Sequence, residues 1–176
     1  QVFEDLVFSY DTLAQRLRQV LNFRLTAAQE RVIQEIYRDL RVAQPMNRLL
    51  QGDVGSGKTV VAVAALLSVI EAGYQGAIMV PTEILAEQHF RTIREYLDSL
   101  QVNVRLLIGG QRKRLREDIL EDIRSGRAQI VVGTHALIEE SVEFANLGFV
   151  IIDEQHRFGV LQRATLREKG ISPDVL

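Results

Sequence analysis

The 176-residue sequence contains no cysteine. This absence excludes disulfide-stapled scaffolds, zinc sites with thiolate ligands and thiol nucleophiles. A large excess of one charge is missing as well, because 21 Lys and Arg residues stand against 23 Asp and Glu residues, for a net charge of −2. A histone-like polycation is therefore excluded, and any contact with nucleic acid must come from a local basic patch.

Long apolar runs are also lacking. The longest, residues 60–70, contains one serine and is shorter than the roughly 20 residues that span a bilayer. No basic segment followed by an apolar segment opens the chain, as a secretory signal would. We therefore predict a cytoplasmic protein without a membrane partner. Because the first residue is Gln1 rather than Met, we expect a piece of a longer protein.

With 47% hydrophobic residues, the chain has enough apolar sequence to bury one domain-sized core. From Gln29 onward, short apolar runs alternate with longer helical patterns, and Gly73 and Gly126 follow two of these as C-caps. The predicted strands are Arg48–Gln51, Ala77–Val80, Val102–Ile108, Gln129–Val132 and Phe149–Ile152. The predicted helices are Ala27–Arg41, Lys58–Ala72, Glu83–Ser99 and Arg112–Ser125. Such alternation predicts a doubly wound α/β fold with a mostly parallel sheet, helices on both faces and ligands beyond the carboxyl ends of the strands.

The two ends of the chain carry weaker patterns. Residues 1–24 place Leu13, Leu17 and Val20 at helical spacing, so we expect a helical lead-in to a domain at residues 25–176. From Arg157 the patterning is weak, and we expect the chain to stop before an element that would complete the sheet.

A phosphate-binding loop is predicted at residues 52–59. Gly-Asp-Val-Gly-Ser-Gly-Lys-Thr fits G-x-x-x-x-G-K-[ST] at every fixed position, between a predicted strand and a predicted helix. The glycines let backbone N–H groups curl around phosphate oxygens at the N-terminus of a helix. Lys58 can reach the β- and γ-phosphates, and the Thr59 hydroxyl can bind Mg²⁺. The alternative is a glycine-rich turn without a ligand.

Two adjacent carboxylates, Asp153 and Glu154, follow the apolar run that ends at Ile152. In a doubly wound sheet this is the edge that also carries the phosphate loop. Asp153 can hold the shell of Mg²⁺ while Glu154 polarises the attacking water. The alternative is a polar turn. With His156, the Asp-Glu-Gln-His sequence is the DExH form of the second Walker motif.

Four segments together resemble the RecG family, the bacterial ATP-dependent DNA helicases of superfamily 2. They are residues 45–59, with the phosphate loop, residues 81–89 (Pro-Thr-Glu-Ile-Leu-Ala-Glu-Gln-His), residues 133–137 (Gly-Thr-His-Ala-Leu) and residues 153–159 (Asp-Glu-Gln-His-Arg-Phe-Gly). The segments follow the order of the family across about residues 25–169. Ser56 and Gln155 favour RecG over the related transcription–repair coupling factor.

The resemblance implies a RecA-like P-loop NTPase domain, the first of two motor domains that lie behind a wedge domain gripping branched DNA such as forks and Holliday junctions. Its implied partners are branched DNA, the wedge domain and the second motor domain with its arginine finger, the last two absent from this sequence. The resemblance implies a bacterial, nucleoid-associated monomer in the cytoplasm that uses ATP and Mg²⁺. This piece alone is expected to hydrolyse ATP very slowly.

Site residues follow from the resemblance position by position. The implied catalytic residues are Lys58, Asp153, Glu154 and His156, the last linking hydrolysis to DNA. Thr59 and Asp153 are the implied magnesium ligands. The implied ATP-binding residues are Gln29, Gly52, Asp53, Val54, Gly55, Ser56, Gly57, Lys58 and Thr59. The implied contacts to the DNA backbone are Pro81 and Thr82, and a second pair, Thr134 and His135.

Gln29 has two interpretations. Leu-Thr-Ala-Ala-Gln at residues 25–29 resembles the Q motif, whose glutamine amide reads adenine. Thr26 and Gln29 also have the spacing of a helix capping box. One amide cannot donate fully to both partners, although the two roles can coexist.

A basic cluster follows Gly109 and Gly110: residues 112–116 hold four positive charges, and acids follow at once. The simpler interpretation is a solvated helix with Lys113–Glu117 and Arg114–Asp118 pairs. However, cations at a helix N-terminus oppose the macrodipole. A phosphate docked at Gly109, Gly110, Arg112 and Arg114 would remove the conflict, so we predict a DNA-backbone contact here.

Three alternatives stay open at this point. The chain could be the motor domain of a transcription–repair coupling factor or of a primosomal helicase. From a different class, it could be a P-loop nucleotide-binding module that does not hydrolyse ATP. A GTPase switch is disfavoured because the chain has no Asn-Lys-x-Asp motif. The motifs alone leave RNA open as a substrate.

Overall fold

A computed structural model describes residues 26–42, 47–52, 56–153 and 171–172. Its centre is a six-stranded sheet in the order β3-β4-β2-β5-β1-β6. All five pairings between neighbouring strands are parallel. The strands are β1 (Asn47–Gly52), β2 (Gln75–Met79), β3 (Val104–Leu107), β4 (Ile130–Gly133), β5 (Leu147–Asp153) and β6 (Ile171–Ser172). The predicted parallel sheet is thereby confirmed.

Four α-helices lie among the described residues, and all four were predicted from the apolar pattern. They are α1 (Ala27–Val42), α2 (Ser56–Glu71), α3 (Glu83–Leu97) and α4 (Lys113–Ser125). Their ends agree with the predicted ends to within two residues. Two short 3₁₀ helices, Asp98–Leu100 and His135–Ile138, were not predicted. Strand β6 was also missed, because two residues are too few to produce an apolar pattern.

Alternate residues of the strands face two separate cores, because side chains of a strand point to opposite sides in turn. On one face Ile78, Val132 and Ile151 pack with α2 and α3, and Ile33 of α1 joins them. On the other face Met79, Val131 and Ile152 pack with α4 and the second 3₁₀ helix. Every residue of α2 from 60 to 70 is buried, as expected for a helix that is apolar on all sides.

Three helix ends have capping residues that fix where the helix begins or ends. Gly126 is the C-cap of α4 at φ +83°, and Gly73 follows α2 at φ +90°. Both are left-handed conformations that glycine adopts without a steric penalty. At the other end of a helix, Thr82 caps α3 by accepting a hydrogen bond from the Leu85 N–H at 3.2 Å. The two glycine caps were predicted from the sequence.

In the described ranges, no helix combines the length and the apolar character that a membrane crossing requires.

Gln75 is a buried polar residue that the sequence pattern did not reveal. Its Nε2 donates to the carbonyl oxygens of Ile123, at 3.0 Å, and Ala128, at 2.8 Å. Its Oε1 accepts from the Asn146 N–H at 2.9 Å. The side chain therefore joins the start of β2 to the end of α4 and to the segments that precede β4 and β5.

Replacing Gln75 with leucine should destabilise the fold by about 2 to 4 kcal/mol, because the Ala128 carbonyl and the Asn146 N–H would lose the side chain that bonds them and the Ile123 carbonyl would lose one of its donors. The measurement is urea unfolding of the 176-residue chain. Gln88→Leu, at an exposed position of α3, is the matched control and should change the free energy of unfolding by less than about 0.5 kcal/mol. Equal unfolding midpoints for the two variants would contradict this assignment.

Candidate nucleotide site and nucleic-acid interface

The phosphate-loop motif lies between β1, which ends at Gly52, and α2, which begins at Ser56. Asp53, Val54 and Gly55 lie outside the described residues. Because α2 begins two residues earlier than predicted, Ser56, Gly57, Lys58 and Thr59 all belong to its first turn. The first N–H groups of a helix have no partner inside the helix and favour anions. The strand–loop–helix context that the motif requires is thus present.

Strand pairing brings the acidic residue beside the phosphate loop. Gly52 of β1 and Asp153 of β5 are register partners in a parallel pair. Neighbouring strands lie about 4.8 Å apart, so the loop leaves the sheet next to the first residue of the DExH box. Glu154 and His156 lie outside the described residues. The sequence placed both motifs at one edge of the sheet, and the register makes them immediate neighbours.

This juxtaposition fits a magnesium nucleotide. A hydroxyl from the first turn of α2 and a carboxylate at the end of β5 are oxygen ligands of the kind that Mg²⁺ takes. The candidate residues are Thr59 and Asp153, whose backbones the register and the helix start place at the same edge. In the part of the chain that the structure describes, no cluster of three or more acidic or histidine side chains offers a competing metal site.

Gln29 forms the capping box. The Gln29 N–H donates to the Thr26 Oγ1 at 3.1 Å, and the Thr26 N–H donates to the Gln29 Oε1 at 2.8 Å. The capping interpretation is therefore confirmed. The cap uses one lone pair of the Gln29 amide oxygen, and this oxygen has a second one. The cap is therefore compatible with adenine contact by Gln29, which stays a prediction.

A second group of predicted residues gathers at the carboxyl ends of β3, β4 and β2, which are neighbours in the sheet. These ends lead into residues 109–110, 134–135 and 81–82. The Val80 N–H donates to the Gly133 carbonyl oxygen at 2.9 Å, which ties two of the three ends together. A β-carbon at Gly133 would lie 2.3 Å from the Leu107 carbonyl oxygen, so the third end is packed equally closely. The three segments form one continuous edge.

Thr82 combines a structural role with a free donor. Its hydroxyl oxygen accepts the cap hydrogen bond from Leu85, which leaves the hydroxyl hydrogen to donate elsewhere. The N–H groups of Glu83 and Ile84, in the first turn of α3, have no acceptor within the helix. Ile84 is 70% exposed, so this helix end is open to a ligand.

Thr134 and His135, the second predicted contact pair, differ in how much of each residue is exposed. Thr134 is only 9% exposed, because its segment packs into the close turn after β4. His135, at the start of the 3₁₀ helix, is half-buried. Little of Thr134 is therefore accessible to a nucleic-acid strand, a difference that the sequence could not show.

The N-terminus of α4 lacks the side-chain cap and the first-turn acid that α3 has. Arg112 is its N-cap residue without a side-chain cap, and the first turn contains no acid. Lys113 pairs with Glu117 at 4.0 Å, as the solvated-helix interpretation expects. Among the described residues, however, neither Arg112 nor Arg114 has an acidic partner within 4.0 Å, so the Arg114–Asp118 pair of that interpretation does not form. Two guanidinium groups without an acidic partner in the described part of the chain therefore follow the Gly109–Gly110 turn.

Two further residues border this edge, and the sequence pattern did not single them out. The Glu83 carboxylate lies against Gly109, where a β-carbon would be 3.0 Å from Oε1. The Gln111 side chain folds back onto the end of β3. Neither residue belongs to a recognisable spacing, so only the fold reveals that both touch the turn.

The model of the DEAD/DEAH box helicase family matches residues 26–172, so the chain belongs to that family. Within the family, the resemblance to RecG is confirmed. The chain is 57% identical over 150 residues to the ATP-dependent DNA helicase RecG of Aquifex aeolicus, an alignment that covers 85% of this chain and 19% of the relative.

Solved structures agree with this assignment. The structure of RecG bound to a three-way DNA junction matches with a TM-score of 0.77 at 50% identity, over 94% of this chain and 22% of the other. The DEAD-box helicase Mss116 bound to ssRNA and UDP-BeF matches with a TM-score of 0.57 at 14% identity, over 92% and 42% of the two chains. This second likeness shows the fold alone. The predicted RecA-like helicase fold is confirmed, and the chain spans about a fifth of the length of its RecG relatives.

The double variant Arg112→Ala with Arg114→Ala should stabilise the chain by about 0.5 to 1 kcal/mol, because both cations oppose the α4 dipole and neither has an acidic partner among the described residues. Urea unfolding of the 176-residue chain measures the change. Arg124→Ala, in the last turn, should do the opposite, since Arg124 favours the dipole there and pairs with Glu121 at 2.6 Å. A loss of stability in the double variant would show that the two arginines have a structural role.

Proposed function

We propose that residues 25–176 are the first motor domain of a RecG-type helicase, which uses ATP to remodel branched DNA in recombination and repair. The observation that carries this proposal is the match over 94% of the chain to RecG bound to a three-way junction. The arrangement of the sheet edge supports it, because β5 and β1 carry the nucleotide motifs while β3, β4 and β2 carry the predicted backbone contacts.

In the nucleotide half, each residue would have a separate task. Lys58 would stabilise charge on the transferred phosphoryl group, and Glu154 would orient the attacking water. Thr59 and Asp153 would hold Mg²⁺, which neutralises charge on the phosphate oxygens. His156 would connect hydrolysis with DNA. Support comes from the register of Gly52 with Asp153 and from the start of α2 at the motif.

In the nucleic-acid half, the contacts would go to phosphates. The open end of α3 with Pro81 and Thr82, the Gly109–Gly110 turn, and Arg112 with Arg114 supply N–H, O–H and guanidinium donors. Phosphate contacts carry affinity without reading sequence, which suits a motor that moves along any DNA. Thr134 and His135 would extend the same track.

Further parts of the protein would complete the machine. A wedge domain would grip the branch point, and a second RecA-like domain would bring an arginine finger, which is typically worth about 10³ to 10⁵ in rate. We place this protein in the bacterial cytoplasm with the nucleoid DNA, acting as a monomer. ATP and Mg²⁺ are its proposed cofactors.

The central prediction concerns ATP hydrolysis by the parent protein. Forked DNA should stimulate its ATPase much more than linear duplex or single-stranded RNA does, because branch recognition is the proposed task. Lys58→Ala should abolish the stimulated rate, since the lysine is the only phosphate-loop cation. Steady-state ATPase assays with the three nucleic acids check this.

Any other outcome of these ATPase assays would favour a different function. Equal stimulation by plain duplex would favour another DNA translocase, such as the coupling factor or the primosomal helicase. Stimulation by RNA alone would overturn DNA as the substrate. No stimulation by any nucleic acid would favour a nucleotide-binding module.

The two arginines that follow the Gly109–Gly110 turn lead to a second prediction. In the parent protein, Arg112→Ala with Arg114→Ala should reduce the slope of log affinity against log salt concentration by about one to two, because each lost phosphate contact removes about 0.9. DNA-binding titrations between low and moderate salt measure the slope. Arg124→Ala at the far end of α4 is the matched control. An unchanged slope in the double variant would contradict a phosphate contact at this turn.

A further inference from the structure

Gln111 joins the Gly109–Gly110 turn to the end of β3 through both atoms of its amide. Its Nε2 donates to the Leu106 carbonyl oxygen at 3.0 Å. Its Oε1 accepts from the Ile108 N–H at 3.3 Å. Both bonds are partly buried, so water competes with them less than at an exposed position.

These two bonds span the segment that must hold its shape if it is to bind phosphate. Gly110 has φ +74°, a conformation that glycine adopts freely in turns. No residue in the described part of the chain forms an ion pair with Arg112, and α4 has no side-chain cap at this end. Local interactions around the turn are therefore few, and the Gln111 amide supplies two of them.

The same amide has a second, purely structural reading. Strand β3 is the edge of the sheet, and its outer side borders an open groove of about 490 Å³ between α3 and α4. The Leu106 carbonyl and the Ile108 N–H are groups that an added strand would use. By occupying them, Gln111 would protect the edge against unwanted pairing. This role would affect association between molecules, not DNA affinity.

We propose that Gln111 is a positioning residue for DNA binding: it holds the Gly109–Gly110 turn so that Arg112 and Arg114 face a phosphate before DNA arrives. The inference deepens the proposed function and rests on it. Ordering a loop in advance lowers the entropy cost of binding, so the gain appears in DNA affinity. Gln111 itself touches neither nucleotide nor DNA in this scheme, and ATP chemistry should not depend on it.

The test compares Gln111→Met with wild type in the parent protein. Methionine keeps the length of the side chain and removes both hydrogen bonds. The fork concentration that gives half-maximal ATPase should rise about tenfold. The rate at saturating fork DNA and the KM for ATP should stay within about twofold. Gln88→Met, at an exposed position of α3, is the matched control and should leave all of these values unchanged.

A second readout separates positioning from general stability. Amide exchange in the segment 106–112 should accelerate in Gln111→Met, while the melting temperature of the protein stays within a few degrees of wild type. Unchanged half-maximal DNA concentration would overturn the proposal. A fall in the saturated rate that parallels a lower melting temperature would overturn it too, and would indicate a structural role. If wild type itself shows no response to DNA, the proposed function fails, and this inference fails with it.

Discussion

Parallel pairing of every strand is the constraint on which the rest of this structure depends. Strands that run in one direction all end at one edge of the sheet, so residues far apart in sequence meet there. Gly52 and Asp153, a hundred positions apart, become register partners in this way. Parallel pairing also requires crossover connections, and here they cover both faces of the sheet, which explains why residues 60–70 of α2 are buried and why two cores form.

The shared edge divides into a half that carries the nucleotide motifs and a half that carries the predicted nucleic-acid contacts, and the two halves are neighbours in the sheet. Strand β2, which leads to Thr82, pairs with β5, which ends at Asp153. Met79 and Ile152 are the last partners in this ladder. One inter-strand spacing, about 4.8 Å, therefore separates the two halves. In a motor of the proposed type, ATP and DNA would act on opposite sides of a single hydrogen-bonded ladder.

Helices α3 and α4 begin at the same edge with opposite local chemistry. At α3, a threonine cap accepts from the Leu85 N–H and an acid in the first turn favours the helix dipole. At α4, a turn of cations without a cap works against the stability of the helix. In a protein whose other helix ends follow the rules of capping and helix charge, an end that breaks these rules is expected at a functional site. The two Gln111 hydrogen bonds fit this view. They hold the turn before α4 in place, whereas the cations at the start of α4 do not stabilise it.

The elements and the motifs were determined by the sequence alone. Apolar runs of four to seven residues and helices of 13 to 16 residues are local signals, and the phosphate loop and DExH box are short patterns of fixed spacing. Strand β6 and the 3₁₀ helix at His135 were too short for such signals. The order of strands, the burial of Thr134, the contact of Glu83 with Gly109 and the bonds of Gln75 and Gln111 were decided only by tertiary structure. Each depends on which backbone groups packing brings within about 3 Å across long stretches of chain, and no pattern of neighbouring residues encodes that distance.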